Sequence, residues 1–355
     1  VIAHPRFIGD DLNRLLNYRE QEGLSTRIVN VNQIYKNYSD GTVDPLAIKA
    51  FIADAHAKMG TQYVLLVGGD TYDYKSHLKR NGRNQGEQFA RPMLPSLYAR
   101  TGQTVRHAPV DPLSGDVDDD GVPDLVIGRM PVQTTDDLRT IVEKTLTYVS
   151  AHTEQSAVFI ADNTDAASQR SFSEVSRAAR LELDRWRVNF IDREQVPGRT
   201  ARNRLLNVID QGRALTVYFG HSDTMSWGFD GLIRRTDVTT LNNSDMPTAV
   251  LQFGCWNTYY VDPRANTLAH HWLVEGSHGA AIMMGATTPT EAGSEQDFSA
   301  YIMDGLAAGD SYGTAVLKAK SKLANEYGAH SVKDLLSGFV ILGNPALRPE
   351  QTNLQ

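Results

Sequence analysis

Short apolar runs of strand character alternate along the chain with stretches whose apolar residues recur at helical spacing. Residues 1–3 read as a strand. Residues 9–21 follow with Leu12, Leu15, Leu16 and Tyr18 on one helical stripe, closed by Gly23. Residues 27–31 read as a second strand. Asp44-Pro45 opens a helix to about Met59, with Pro in the first turn, where its missing N–H has no partner to lose. The run Tyr63-Val64-Leu65-Leu66-Val67 is apolar without a break, as in a parallel strand covered on both faces, and it stops at Gly68-Gly69-Asp70. Residues 75–123 carry few periodic signals and many polar, Pro and Gly residues, so long loops are expected there.

A short strand at 124–127 leads to a long helix at 134–152, with Leu138, Ile141, Val142, Leu146 and Val149 as its stripe. The polar turn 151–155 is the expected boundary between two units, residues 1–153 and 154–355. The rhythm then restarts, with strands at 157–161, 188–192, 214–219, 248–253 and 280–284. Helices are expected at 170–186, 200–212, 264–275, 296–307 and 312–326. Strands alternating with helices at this spacing predict an α/β fold of open, mostly parallel sheets with helices on both faces, in two α/β subdomains.

Composition narrows the function classes. With 41% hydrophobic and 22% charged residues the chain is globular rather than disordered or fibrous. No apolar run approaches the roughly 18–20 residues of a membrane helix. The formal net charge is −7 and no Lys/Arg block stands out, so nucleic acid is not an expected partner. Cys255 is the single cysteine, which excludes an internal disulfide. The sequence opens on Val1 rather than Met, as expected of a processed protein or of a piece of a larger surface or secreted polypeptide.

In open parallel sheets, functional groups gather at the carboxyl ends of strands. Two predicted strands end alike, in Tyr218-Phe219-Gly220-His221 and in Gln252-Phe253-Gly254-Cys255. A lone cysteine is most often a small buried hydrophobe, and a lone histidine at a strand end is usually a hydrogen-bonded structural residue. If the two strands are neighbours, however, imidazole and thiol emerge side by side, and the imidazole can take the thiol proton. There is no G-x-S-x-G, P-loop or G-x-G-x-x-G segment, and His270-His271 lacks the H-E-x-x-H frame of a zinc site.

The segments Tyr218–Asp223, Ser226-Trp227 and Phe253–Asn257 resemble the gingipain family of cysteine peptidases, peptidase family C25. So do Tyr63–Asp70, Ile127–Val132, Gly279–Ile282 and Gly343–Leu347, in the same order over most of the chain. The resemblance implies a caspase-like fold and a cysteine-type endopeptidase of clan CD, acting on protein or peptide substrates. Cys255 would be the nucleophile and His221 the general acid/base, with Asp162 orienting the imidazole. The backbone N–H groups of Ser222 and Cys255 would hold the oxyanion. The family has Gly where this chain has Ser222, so a requirement for positive φ there would be costly. Arginine-specific relatives place a selecting Asp near what are here Ser173 and Glu174. Phe219, Thr287, Thr288 and Glu291 are the expected walls of the pocket. A carboxylate at Glu174 or Glu291 would select a basic residue, and a bulky Phe219 a smaller or apolar one. A catalytically weak binding or adhesion module, and a transpeptidase using the same pair, are the alternatives.

One further motif stands apart. Asp116-Val117-Asp118-Asp119-Asp120-Gly121-Val122-Pro123-Asp124 matches the first half of a D-x-D-x-D-G calcium loop, in which alternate carboxylates converge on one hard cation. Asp116, Asp118, Asp120, the Val122 carbonyl and Asp124 are the expected ligands of a structural Ca²⁺. Position twelve is Ile127 instead of Glu, so this is not an EF-hand. A millimolar-type calcium site and the family resemblance together lead to an expected extracellular location, secreted or at the cell surface.

Overall fold

The computed structural model describes residues 1–78, 91–102, 105–152, 154–290 and 292–349. Among them ten strands form one sheet: β1 (Ile2–Ala3), β2 (Val29–Asn30), β3 (Tyr63–Val67), β4 (Val126–Met130), β5 (Ser156–Ala161), β6 (Arg187–Asp192), β7 (Leu215–Phe219), β8 (Thr248–Phe253), β9 (Ala280–Ala286) and β10 (Phe339–Gly343). Their order is β2-β1-β3-β4-β10-β9-β8-β7-β5-β6. Every neighbouring pair is parallel except β9 and β10. The sheet is therefore two parallel halves running in opposite directions, joined at β10. That strand comes from the end of the chain, yet it pairs with β4 of the first half as well as with β9.

The helices that cover the sheet are α1 (Asp10–Gln21), α2 (Val31–Tyr38), α3 (Pro45–Met59), α4 (Thr135–Ala151), α5 (Phe172–Leu181), α6 (Gly198–Asp210), α7 (Leu268–Val274), α8 (Ala292–Ala307) and α9 (Tyr312–Tyr327). Alternate strand residues serve opposite faces. Val67, Ile160, Tyr218 and Val250 pack under α1, α4, α6 and α7 in one apolar cluster that crosses both halves. On the other face Phe159, Phe219 and Phe253 pack under α5, α8 and α9. There the first half has its own cluster, Ile2, Val64, Leu66 and Ile127 under α2 and α3. The expected α/β fold, mostly parallel with helices on both faces, is the one present.

Local chemistry sets the element ends. Asp44 caps α3 by accepting from the Leu46 N–H, and Gly60 closes it in the left-handed region at φ 64°. Thr134 and Asp137 form a reciprocal capping box on α4. The strand expected at 27–31 is cut to β2, because the Asn30 side chain accepts from the Asn32 N–H and starts α2. β10 and the short helix Lys333–Gly338 before it were not anticipated by the periodicity. A brief all-apolar run such as Phe339–Leu342 carries no period that separates strand from helix. The loops expected at 75–123 contain a two-stranded ribbon, Tyr98–Ala99 against Ala108–Pro109, and a 3₁₀ turn at Asp111–Gly115. Asp111 in that turn receives both Nε and Nη2 of the fully buried Arg129, at 2.6 and 2.8 Å, which anchors the loop to β4. No helix among the described residues is long and apolar enough to cross a membrane.

Candidate active site

β7 and β8 are adjacent and parallel, with Phe219 in register with Phe253. His221 and Cys255 each lie two residues beyond that pair, so they leave the sheet from neighbouring strands at the same end. Between strand and reactive residue stands a glycine whose surroundings admit no side chain. A Cβ on Gly220 would collide with Asp162 and the Tyr218 hydroxyl, and one on Gly254 would collide with the Gly220 carbonyl and Ser222. The Gly-His and Gly-Cys pattern is thus a requirement of close approach between two turns.

The turns are tied to each other. Ser222 Oγ donates to the Cys255 carbonyl at 2.9 Å. Asn257, fully buried, donates from Nδ2 to Ser222 Oγ (3.2 Å) and to the Gly254 carbonyl (2.9 Å), and its Oδ1 accepts from the Ala286 N–H (2.9 Å). This hub binds the ends of β7, β8 and β9 together. Sequence reading passed over it, since a buried Asn after a cysteine gives no signal of its partners.

Ser222 pairs with Trp227 in an isolated antiparallel bridge. The bonds on either side run from Gly228 N–H to the His221 carbonyl and from Asp223 N–H to the Ser226 carbonyl. Ser222 is therefore the non-hydrogen-bonded member of the ladder, and its own N–H points away from it. Its φ is not positive, so the Gly-to-Ser departure imposes no left-handed strain; the residue in that region is Trp256, at φ 52°.

The His221 ring stacks on Phe229 with centroids 4.2 Å apart and meets the edge of Phe172 at 5.2 Å. Its Nε2 lies 3.3 Å from Asp165 Oδ1, a close contact not aligned as a hydrogen bond. Asp162 sits just below. Its Oδ1 accepts from the Asn163 N–H (2.9 Å) and from Arg193 Nη1 (3.3 Å), and the Tyr218 hydroxyl lies 3.4 Å from its Oδ2. Burial pushes the Asp162 carboxyl up, while Asn163 and Arg193 pull it back. The Tyr218 hydroxyl donates to the His221 carbonyl at 2.5 Å. Asp162 thus reaches the His221 backbone through Tyr218, and the carboxylate beside the ring is Asp165.

Thr290 lies against the Cys255 thiol, where its backbone and hydroxyl favour the thiolate. Burial raises its pKa first, opposed by Thr290 and reinforced by the negative charges of Glu295 and Asp334. Thr290 Oγ1 donates to Glu295 Oε1 at 3.0 Å, and Arg170 Nη1 lies 3.9 Å from Glu295 Oε2. Burial pushes Glu295 up to about 7. Thr290, Glu295 and Arg170 were not singled out by sequence.

Of the expected pocket residues, Phe219, Thr287 and Thr288 have buried side chains, and the Thr288 carbonyl accepts from the Trp256 N–H beside Cys255 (3.2 Å). Phe219 is 1% exposed and stacks on Phe253 inside the core, since strand alternation turns it away from the open end. Thr287 is buried and donates to the Pro109 carbonyl (2.8 Å), and Thr288 is bonded to Thr101 (2.5 Å). Ser173 donates to Asp192 at 2.7 Å. Glu174 is exposed in the first turn of α5, and Glu291 lies outside the described residues.

In the acidic loop, one ligand oxygen each of Asp116, Asp118 and Asp120 come within 4.8 Å of one another. Asp116 is buried and its Oδ1 has no hydrogen-bond partner. Its other oxygen accepts from the Gly121 N–H at 3.1 Å. Lys49 Nζ, 4.0 Å from Asp116 and 2.5 Å from Asp119, partly offsets the charge. Three converging carboxylates with one orphaned buried oxygen fit a hard cation. Asp124 lies outside this cluster and accepts from the Val117 N–H at 2.9 Å, closing the loop.

A doubled parallel sheet with thiol and imidazole on adjacent strand tips is the frame of a cysteine peptidase. The profile of peptidase family C25 matches residues 1–350, and the chain belongs to that family. Its fold is similar to that of the Arg-specific cysteine proteinase gingipain R (RgpB), with TM-score 0.76 and 17% identity over 98% of this chain and 77% of that one. The complex of the Porphyromonas gingivalis RgpB pro- and mature domains gives TM-score 0.75 and 17% identity, over 98% and 78%. No curated protein matches the chain.

Proposed function

We propose that this chain is a cysteine endopeptidase in which Cys255 attacks the scissile carbonyl and His221 moves the proton. The observation that carries the reading is the register of β7 and β8, which puts the two residues on adjacent strand tips. In acylation the thiol proton passes to the imidazole, sulfur bonds to the carbonyl carbon, and the C–N bond breaks as the imidazolium protonates the leaving amine. Water deprotonated by His221 then splits the thioester. The N–H groups of Ser222 and Cys255 stabilise the oxyanion, a role that the outward-pointing Ser222 N–H supports. A thiol raised by burial is a poor nucleophile at rest, so substrate binding has to bring the imidazole to it. The exposed aromatics Phe229 and Trp256, beside His221 and Cys255, offer apolar surface to a peptide backbone.

For the residue before the scissile bond we propose a basic side chain, because Asp334, together with Glu295 once it ionises, brings negative charge near Cys255. A positional scanning library preferring apolar residues there would refute it. The division of labour we propose puts the reacting groups in residues 154–355 and the metal loop in 1–153. The bound ion is Ca²⁺, held by Asp116, Asp118 and Asp120, with Asp124 and the Val122 carbonyl completing the set. The proposed calcium site and C25 membership support an extracellular location, within a larger surface or secreted polypeptide.

The direct test is labelling by a thiol-directed peptidyl electrophile. Wild type should label far faster than a free thiol, and Cys255→Ala and His221→Ala should not. Labelling at the rate of a free thiol, indifferent to His221, would sink the peptidase in favour of a binding module.

A further inference from the structure

We propose that Asp165, rather than Asp162, is the carboxylate that orients the His221 imidazole and supports its charged form, a role that rests on the peptidase reading above. Asp165 Oδ1 is 3.3 Å from His221 Nε2. Asp162 is hydrogen-bonded to Asn163 and Arg193, its hydrogen-bonded route to His221 runs through Tyr218 and the backbone, and otherwise only its charge acts on the imidazole.

The loop carrying Asp165 is held by its own hydrogen bonds. Asp165 Oδ1 accepts from the Ala167 N–H (3.2 Å), and Oδ2 accepts from both the N–H (3.1 Å) and the hydroxyl (2.5 Å) of Ser168. The Asp165 N–H donates to the Arg170 carbonyl at 2.9 Å, and the Gln169 N–H returns to the Asp165 carbonyl at 2.8 Å. Two residues past Arg170, Phe172 opens α5 with its ring edge against the same imidazole. The loop is thus closed on itself and seated against His221 at two points. Its hydrogen bonds, those from Ser168 and Ala167 foremost, hold the Asp165 carboxyl down to about 2, so it is ionised wherever the enzyme would work.

Phe229 below and Phe172 at the edge confine the ring. Alignment of Nε2–H with Asp165 would leave the lone pair on Nδ1, the nitrogen available to a thiol proton. When Nδ1 takes that proton, the adjacent carboxylate stabilises the imidazolium, and the contact has only to align for a charge-assisted bond to form. Catalytic hydrogen bonds are often loose before substrate binds. The other charged groups on this side are Asp162 and, behind it, Arg193, whose guanidinium is shared with Asp230 next to Phe229.

The test titrates the His221 ring by NMR in the intact chain and measures peptide turnover in parallel. Asp165→Asn should lower the His221 midpoint by about one pH unit, as loss of a nearby opposite charge does. It should lower kcat at neutral pH by ~10-fold or more, with KM within ~2-fold. Asp165→Glu should recover most of both, and Asp165→Ser is a second neutral variant that keeps a short polar side chain in the turn. Asp162→Asn removes a charge that acts on the ring without a direct bond, so it should move the midpoint much less than Asp165→Asn and lower the melting temperature. An unmoved His221 midpoint in folded Asp165→Asn or Asp165→Ser overturns the proposal, as does an equal shift in Asp162→Asn. If the wild type cleaves no peptide at all, the peptidase reading has failed, and the titration still decides which carboxylate governs the ring.

Discussion

The hydroxyl of Ser222 donates to the carbonyl oxygen of Cys255, so the residue after the imidazole holds the turn that carries the thiol. Ser222→Ala removes that bond and leaves Asn257 with one partner fewer, and should lower kcat ~3–10-fold with KM little changed. Ser222→Gly adds backbone freedom and should be slower still. Steady-state kinetics on one peptide decide it; a glycine variant faster than wild type would show that the serine hinders the site.

Cys255→Ala is a small change at a half-buried position and should leave folding intact while abolishing turnover. His221→Ala should do nearly the same, because nucleophile and base act as a unit. Residual cleavage above about 1% of wild type in pure Cys255→Ala protein would remove Cys255 from the mechanism.

Glu295 links stability to pH. Its folded pKa is raised from 4.5 to about 7, so the native state keeps a proton that the unfolded chain releases. Stability contributed by the neutral form is full below about pH 4.5 and is lost as pH rises to about 7, a difference of order ~3 kcal/mol. Glu295→Gln keeps an acceptor for Thr290 and should flatten that slope, matching wild type at pH 4.5 and exceeding it at pH 8. Parallel melting curves for the two proteins across that range would contradict the assignment.

Asn257→Ala should cost ~2–3 kcal/mol by leaving buried acceptors and the Ala286 N–H unpaired. Asn257→Asp should not rescue it, since Asp lacks the Nδ2 donor that both Ser222 and Gly254 use. Denaturant melts that show either variant within ~0.5 kcal/mol of wild type would mean the hub is dispensable.

Chelation tests the acidic loop. A cation held only by the native state stabilises it in proportion to the logarithm of its excess over Kd. EGTA should lower the melting temperature and expose residues 111–124 to nicking, calcium should restore both, and magnesium should substitute poorly. Asp116→Asn should be nearly insensitive to EGTA. Unchanged melting in excess EGTA, with no calcium by elemental analysis, would leave the loop merely acidic, with Lys49 as its counter-ion.

The order of strands and helices along most of the chain was legible because each element carries its own signal. The unbroken run Tyr63–Val67 announces a covered parallel strand, Asp44-Pro45 a helix start, and the Gly-His and Gly-Cys endings two strand tips bearing imidazole and thiol. These are local properties, encoded in neighbouring residues. β10 was not legible, because its role as the hinge between two opposed half-sheets depends on partners, β4 and β9, far away in sequence.

What the chain by itself determined is the kind of chemistry on offer: one thiol, a matching histidine, and an acidic loop spaced for a cation. Tertiary structure decided who touches whom. Strand alternation sent Phe219 into the core. The two residues between Asp162 and Asp165 carried the chain from the strand end over the imidazole, so the carboxylate beside the ring is not the one at the strand end. Asn257, Thr290 and Glu295 gained their places around the site only when β7, β8 and β9 were brought side by side. Side-chain contacts of that sort depend on a few ångströms of register and turn geometry, which no local pattern of residues specifies.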